Sequence, residues 1–355
     1  MKAKAGIVPV CYASHHRWMK ERTNQMPELA KKISLLWLFF GLSFFAASLA
    51  AAANNDAPES QAVPRVVFVL DNQAGNYLPI LKGFREYSRK QVGRLIRIDL
   101  INSENLSQAE LVQQLSGNYD LAVTVGISAT KSVINNKSDI PVFALKINQA
   151  ELRALHRAGS KAGRLVTGIY RDQPFERYAQ LIQGALPQYK RVGILLSQNS
   201  KTLKPDFDRV MRQFRFEPVV TIVRRNDLPQ RVLERLANRS DIIIAIFDDD
   251  IYSPDNVKSH LLTAFRHQIP MIGVTRGYTE IGAVAALYSD DYELGNQTAR
   301  QAIKILDLNT ERLAPVFPDT FKLRVNYNVL RSFGITSLDE AQLAQQIQQT
   351  KIMTE

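Results

Sequence analysis

The chain has 355 residues, of which 45% are hydrophobic and 22% charged, and its formal net charge is +11. This length is enough for roughly two domains, and the hydrophobic content is ordinary for a globular protein. The basic residues are dispersed along the chain. A protein that binds nucleic acid would carry a basic stripe or a DNA-reading motif, so we expect no nucleic-acid partner.

The N-terminal region has the three parts of a secretory signal peptide. Lys31 and Lys32 precede the apolar run ISLLWLFFGLSFFAASLA, and Ala50 to Ala53 then form an A-x-A-like cleavage site. The run has 18 residues and could instead be an uncleaved anchor helix, but its alanine-rich end favours cleavage. We therefore expect a signal peptide over residues 1–53, a polar spacer over residues 54–63 and a periplasmic mature protein.

Cleavage of the signal peptide would change both the cysteine content and the net charge of the chain. The only cysteine, Cys11, lies upstream of the apolar run, so the mature chain would have no disulfide and no cysteine-ligated metal. Removing seven basic and two acidic residues lowers the net charge from +11 to +6. We expect no cofactor and no resident metal.

After the spacer, short apolar runs alternate with segments of helical periodicity. The first series predicts strands in the segments RVVFVL, LIRIDLI, YDLAVTVG and PVFALKI. Between the second and third of these, Ser107 and Glu110 have the spacing of a capping box, and Gly117 ends the predicted helix.

A second series then predicts strands in RLVTGIY, RVGILLS, EPVVTIV, DIIIAIF and PMIGVT. Continuous apolar strands such as DIIIAIF are typical of parallel sheets covered on both faces. Each series therefore predicts a doubly wound α/β lobe. The remaining C-terminal segment is too short for a third domain, and we expect it to cross back and complete the two sheets.

These patterns predict the domain organisation. We assign residues 64–165 and about 283–310 to an N-terminal lobe, residues 166–282 and about 311–338 to a C-terminal lobe, and residues 339–355 to a polar tail. Two lobes joined by several crossovers enclose a ligand cleft that can hinge.

In open parallel sheets, ligands bind beyond the carboxyl ends of the strands. The loops at those positions mix polar with aromatic residues, which suits a small ligand with a charged head and an apolar or aromatic body. The predicted ligand-binding residues are Asp71, Gln73, Gly126, Ser128, Ala129, Tyr170, Ser197, Asn199, Phe247, Asp248, Thr275 and Arg276.

The segment from Gly126 to Thr130 has two functional interpretations. A nucleophile elbow reads G-x-S-x-G, whereas Thr130 stands at its last position, and no histidine is suitably placed to act as a base. We therefore expect no catalytic role for Ser128. Alternatively, free N–H groups at a helix start could hold an anionic head group. Ser128 could also cap its own helix, which is compatible with ligand contact.

Two charged segments have similar alternatives. Asp248, Asp249 and Asp250 could hold Mg²⁺, but a phosphoacceptor site would need a second acidic cluster where Asp71 stands alone. One of the three could instead bind a ligand ammonium group. Arg276 could pair with a ligand carboxylate or with a surface acid. The sequence contains no G-x-G-x-x-G after the first strand, no P-loop and no H-E-x-x-H motif.

Between Arg65 and Ile335 the chain resembles the substrate-binding proteins of ABC transporters in the tryptophan/tyrosine-type group. The resemblance rests on the segments DLAVTVGISATKSV, IPVFALKI, RLVTGIYRDQPFERYAQLIQGALPQYKRVGILLSQNS and GAVAALYSDDYELGNQTARQAIKIL. It implies a type I periplasmic-binding fold whose two lobes close on a ligand, which is then delivered to a membrane permease. Gly126 to Ala129 looks like that family's G-[ST]-x-A ligand loop.

Two departures from the family pattern bear on the ligand. The usual aspartate-proline after the fourth strand is replaced around Lys146 to Asn148, and the usual P-G-G-N turn is replaced by Lys161 to Arg164. Both segments are expected near the cleft or hinge, so the ligand need not be an aromatic amino acid.

The resulting hypothesis is an exported, non-enzymatic, monomeric solute-binding protein of an ABC importer. Its ligand would be small and polar or amino-acid-like, and its partner an inner-membrane permease. The alternatives are a periplasmic sensor or scaffold of the same fold that signals to a membrane receptor, and an exported hydrolase that uses Ser128.

Overall fold

A computed structural model describes residues 63–71, 77–92, 95–136, 139–308, 313–336 and 338–352. Within these residues the chain forms two α/β lobes, each built on one mainly parallel sheet. The prediction of two doubly wound sheets is confirmed. The expected signal peptide and most of the expected spacer lie outside the described residues, as does Gln73, and they stay predictions. No helix in the described ranges is long and apolar enough to cross a bilayer.

The first sheet has five strands in the order β2-β1-β3-β4-β5, and each neighbouring pair is parallel. In chain order its strands are β1 (Arg65–Leu70), β2 (Arg97–Asn102), β3 (Leu121–Val125), β4 (Val142–Ile147) and β5 (Val166–Tyr170). The helices between them are α1 (Leu78–Val92), α2 (Gln108–Leu115), α3 (Ile127–Asn135) and α4 (Gln149–Lys161). The predicted capping box opens α2, where Ser107 and Glu110 cap each other's backbone.

Both faces of the first sheet are buried, which explains why β1 is apolar from Val66 to Leu70. Phe68 points to the face covered by α1, where its ring packs edge to face on Phe84 with centroids 5.2 Å apart. Val67 and Val69 point to the opposite face, where they join Leu111 of α2 in a second cluster.

The second sheet has six strands in the order β11-β10-β9-β8-β6-β7. Its strands are β6 (Arg191–Leu196), β7 (Glu217–Ile222), β8 (Ile242–Ile244), β9 (Met271–Gly273), β10 (Ala285–Tyr288) and β11 (Lys322–Val325). Strand β11 is antiparallel to β10, and the other pairs are parallel. The preceding and intervening helices are α5 (Phe175–Ala185), α6 (Lys204–Gln213), α7 (Pro229–Ala237), α8 (Pro254–Arg266) and α9 (Arg276–Glu280).

Three further helices complete the described chain, namely α10 (Asp291–Leu308), α11 (Tyr327–Ser332) and α12 (Glu340–Ile352). The chain passes between the lobes three times: after β5, between β10 and α10, and before β11. Helix α10 belongs to the first lobe because it packs along α1. The third passage runs along the edge of the first sheet, where Val316 exchanges backbone hydrogen bonds with Gly168 (3.0 Å) and Tyr170 (2.9 Å).

Two glycines bring α10 close to α1. A Cβ atom at Gly83 would lie 2.1 Å from the backbone oxygen of Tyr292, and one at Gly295 would lie 2.1 Å from that of Ile80. Glycine is required where two backbones approach this closely. The second passage is therefore followed at once by a helix that is fixed to the first lobe.

The strands divide between the lobes at points that differ from the expected boundaries. Strand β5 is hydrogen-bonded into the first sheet, although residues 166–282 were expected in the C-terminal lobe. Strand β10 pairs with β9 and β11 in the second sheet, although residues 283–310 were expected in the N-terminal lobe. In both places the chain crosses over after the strand rather than before it.

The C-terminal segment, expected to be a polar tail, forms α12. Leu343 and Ile347 are buried in the core of the second lobe, and α12 packs on α5 and β11. Two apolar residues four positions apart lie on one face of a helix. That spacing is enough to fix an otherwise polar segment to the lobe.

Candidate functional site

The carboxyl ends of the two sheets meet at a contact between Arg171 and Phe247. Arg171 is the first residue after β5 in the first lobe, and Phe247 follows β8 in the second. The guanidinium carbon of Arg171 lies 4.0 Å from the centroid of the Phe247 ring. A guanidinium at this distance from an aromatic face is attracted by the ring quadrupole, so this pair joins the strand ends of both lobes.

In the first lobe, backbone N–H groups that were expected to bind a ligand anion are occupied by a carboxylate of the protein itself. Asp71, at the end of β1, is buried, and its Oδ2 accepts hydrogen bonds from the backbone N–H groups of Ser128 (3.1 Å) and Ala129 (3.3 Å). The expectation that these N–H groups are free is therefore wrong. A carboxylate from the neighbouring strand supplies the negative charge that a helix N-terminus favours.

Gly126 makes this arrangement possible. Its φ of +100° lies in a region that favours glycine, and a Cβ atom there would lie 2.2 Å from Oδ2 of Asp71. Gly126 is also the N-cap of α3, so Ser128 does not cap the helix. Ser128 itself is exposed.

The second lobe has a similar arrangement, in which the carboxylate of Asp248 accepts hydrogen bonds from neighbouring loops. Its Oδ2 accepts from the backbone N–H of Ser197 (3.1 Å) and from the hydroxyl of Ser200 (2.5 Å), and its Oδ1 accepts from the N–H of Asp250 (3.2 Å). Asp71 bridges β1 and β3, and Asp248 bridges β8 and β6. These are the points where the strand order of each sheet reverses, the usual position of ligands in such folds. The two carboxylates therefore shape the walls of the site.

Beside Asp248, the loops of the second lobe present polar side chains. Asn199 donates from its side-chain amide to Asp250 (2.8 Å), and its backbone N–H donates to the hydroxyl of Ser197 (3.0 Å). Asp249 is exposed. Within the described ranges, Asp249 makes no hydrogen bond or ion pair, and no group of three or more acidic, histidine or cysteine residues is arranged to hold a metal.

Three other predicted residues have different surroundings. Tyr170 is buried and packs edge to face on Phe317 with centroids 4.8 Å apart, so it belongs to the wall of the first lobe. Thr275 is the half-buried N-cap of α9. Arg276 pairs with Glu280 at 3.2 Å on the exposed surface, which is the second of the two alternatives expected for it.

Sequence reasoning missed Arg171. Its backbone N–H donates to Ile147 at 2.9 Å, which fixes its position beside β4. The surrounding protein lowers the pKa of the guanidinium by desolvation, and the charges of Asp172, Asp249 and Asp291 act in the opposite direction. An arginine nevertheless keeps its charge in a protein.

The guanidinium of Arg171 makes no hydrogen bond or ion pair within the described part of the chain, and the side chain keeps an exposed face. The rule applied to the other strands would have found this residue, because it directly follows β5.

Comparisons with known proteins agree with this architecture. The sequence matches the family described as ABC transporter substrate binding protein over residues 76–349. No curated protein matches it.

Three solved structures are similar to this chain. A conserved domain protein from Vibrio cholerae is 21% identical with a TM-score of 0.54, covering 79% of this chain and 98% of its own. A domain from Streptococcus pneumoniae in complex with L-tryptophan is 20% identical with a TM-score of 0.56, with coverages of 79% and 98%. A ligand-free, open substrate-binding protein with adhesive properties from Clostridium difficile is 20% identical with a TM-score of 0.60, with coverages of 78% and 97%.

At this level of identity the structures show the shared fold, and the family match shows the relationship. The resemblance found in the sequence is confirmed at the level of the family, whose members bind solutes. The chain belongs to the family of ABC transporter substrate-binding proteins.

Proposed function

We propose that this protein captures a small, amino-acid-like solute between its two lobes and delivers it to an inner-membrane ABC permease. The observation that carries the proposal is the contact of Arg171 with Phe247, 4.0 Å across the two lobes. A planar guanidinium with unused donors matches the geometry of a carboxylate. The Phe247 ring beside it offers an apolar surface for the body of the ligand.

The acidic residues near Arg171 support a ligand that also carries an ammonium group. Asp249 is exposed, and its charge acts on Arg171. Glu151 of α4 lies in the same region: burial raises its pKa, Asp249 acts in the same direction, and Lys131 opposes them. An ammonium group would relieve this concentration of negative charge. A zwitterionic solute could thus pair with Arg171 and Asp249 together.

The residues expected to hold an anionic head now have a different proposed role. Because Asp71 already accepts from Ser128 and Ala129, we assign the ligand carboxylate to Arg171. Gly126 and Ala129 would act through Asp71. Specificity would come from the exposed or half-buried polar residues Ser128, Asn199 and Thr275, together with the buried Ser197. Gln73, which lies outside the described residues, stays a predicted contact.

Capture follows from contact with both lobes. A ligand that touches Arg171 in the first lobe and Asp249 in the second gains more when the lobes are together than when they are apart, so binding favours the closed arrangement. We further propose that the protein works as a periplasmic monomer after cleavage of its signal peptide.

A ligand screen tests the proposal. Thermal unfolding would be followed with the twenty L-amino acids, their N-acetyl and amide derivatives, sugars and purines. We expect at least one free amino acid to raise the melting temperature and its two blocked derivatives to lose that effect. If no small molecule in the panel raises the melting temperature, the solute-capture function is contradicted.

Delivery to a permease needs a separate experiment. Uptake of the labelled solute would be compared in cells that contain and cells that lack this protein. We expect uptake to depend on the protein. Normal uptake in its absence, with solute binding intact, would favour the sensor alternative.

A further inference from the structure

Asp172 connects the first crossover to both lobes. It is 6% exposed, and its Oδ2 accepts a hydrogen bond of 2.6 Å from the backbone N–H of Gln149, at the start of α4 in the first lobe. The carboxylate also faces the backbone N–H of Phe247, in the second lobe, and this N–H favours its ionised form. One buried side chain therefore holds the backbone of the first lobe and faces the backbone of the second.

These contacts lie next to the pair formed by Arg171 and Phe247 at the centre of the candidate site. Arg171 precedes Asp172 in the chain, and its guanidinium lies on the ring of Phe247. We propose that Asp172 is a positioning residue for the ligand site, whose carboxylate holds the backbone of Gln149 and Phe247 and thereby sets where Arg171 and Phe247 meet. The importance of that pair for the ligand rests on the proposed function, whereas the positioning itself can be measured without a ligand.

The charge on Asp172 is part of this role. Burial raises its pKa to about 6, while the N–H groups of Gln149 and Phe247 and the charge of Arg171 oppose the rise. Among the described residues, Tyr178 of α5 is also affected by this charge: its own pKa is raised first by burial and then by Asp172. Hydrogen bonds to an ionised acceptor are stronger than those to a neutral one. As pH falls through about 6, Asp172 becomes protonated, and its interaction with the backbone N–H of Phe247 should therefore weaken.

The sequence allows a direct measurement, because its only tryptophans are Trp18 and Trp37. In the full chain, both would be changed to phenylalanine and Phe247→Trp introduced as a single fluorescent reporter. We expect Asp172→Ala to shift the ligand-free emission to longer wavelength, because the ring loses its fixed position. Asp172→Asn should keep the emission near that of the reference, because an amide oxygen can still accept both N–H groups.

Asp241→Ala is the matched control. The carboxylate of Asp241 also accepts two backbone N–H groups, from Lys190 (2.9 Å) and Arg191 (2.7 Å), but at the amino end of β6. This variant should lower the melting temperature and leave the emission unchanged. An unchanged emission in Asp172→Ala, or an equal shift in Asp241→Ala, would overturn the proposal.

A pH titration covers the case in which Asp172→Ala fails to fold. The emission of the reference should change with a midpoint near pH 6, and the Asp172→Asn variant should lack that transition. The same transition in both proteins would refute the positioning role. If the reporter behaves as expected while the solute panel finds no ligand, the positioning role stands and the proposed function fails. If a solute binds but the reporter does not respond to Asp172, only the positioning role fails.

Discussion

The backbone N–H of Ser128 donates to the carboxylate of Asp71 at 3.1 Å, so the start of α3 already holds an anion that belongs to the protein. A helix N-terminus at a strand end usually indicates an anion site open to ligands. Here the carboxylate of Asp71, which follows the neighbouring strand β1, occupies that site. For this reason the proposed ligand carboxylate is assigned to Arg171, which lies beyond β5.

Gly126→Ala should destabilise the protein strongly. The alanine would adopt a φ of +100° and its Cβ would meet Oδ2 of Asp71 at 2.2 Å. Strained backbone of this kind costs about 1–3 kcal/mol, and displacement of Asp71 adds the loss of a helix cap, about 1 kcal/mol. Urea unfolding measures the sum.

Gly163→Ala is the control for that change. Gly163 has a φ of +70° and no atom within 4 Å of the position of its Cβ, so it tests backbone strain without the clash. We expect a loss of about 1 kcal/mol. Equal losses in the two variants would show that the contact with Asp71 contributes nothing.

Arg171→Met should weaken binding of the solute found in the screen. Removing a charge-assisted bidentate interaction costs about 1.5–3 kcal/mol, which corresponds to roughly a 10- to 150-fold rise in Kd. Calorimetric titration measures it. Arg276→Met, at the exposed pair with Glu280, should change Kd less than about 2-fold. Similar losses in both variants would contradict a specific role for Arg171.

Asp172 should make stability depend on pH in a defined direction. Its pKa is raised to about 6 in the folded protein from an ordinary value of 3.8, so the folded state binds the proton more tightly. The resulting stabilisation is fully present below pH 3.8 and is lost as pH rises through about 6. Its full size is about 3 kcal/mol, since each pKa unit is worth about 1.4 kcal/mol.

Comparison with Asp172→Asn isolates this effect, because the amide does not titrate. The free energy of unfolding, measured in urea at pH 4.5 and 7.5, should fall more for the natural protein than for the variant as pH rises. Parallel curves would exclude Asp172 as the group responsible.

Gln173→Ala should loosen the connection between the lobes. The amide of Gln173 donates to the hydroxyl of Ser289 at 2.8 Å and accepts from Arg177, while Arg177 donates to the backbone oxygen of Asp319 at 2.8 Å. These bonds join all three passages between the lobes. The loss of buried hydrogen bonds costs about 1–3 kcal/mol.

Thermal and urea unfolding would measure the loss for Gln173→Ala. The control is Gln198→Ala, an exposed residue that accepts from Lys201, and its effect should stay within about 0.5 kcal/mol. A loss no larger than that of the control would show that the connection does not depend on Gln173.

The fold could be predicted because strands such as β8 are apolar throughout and alternate with amphipathic segments. The lobe boundaries could not, because a strand such as β5 carries the same pattern whichever sheet it joins. Only its backbone pairing with β4 assigns it. The helix α12 was missed for a related reason: Leu343 and Ile347 are a weak apolar face until the second lobe covers them.

The candidate site was predicted in part. The rule that ligands bind at strand ends selected Asp71, Gly126, Phe247 and Asp248, which the structure finds at the carboxyl ends of their strands. The sequence did not reveal which donors these carboxylates accept from, because Asp71 and Ser128 are 57 positions apart. Contacts over such separations depend on strand order, which no local pattern encodes.

The glycine contacts between α1 and α10 limit how the lobes can move. Since the two backbones touch at Gly83 and Gly295, we expect α10 to stay in place on α1 during any opening of the lobes. The rotation at this passage must then be absorbed by backbone torsions between the end of β10 at Tyr288 and the start of α10 at Asp291. We expect a link this short to act as one of the pivots between the lobes.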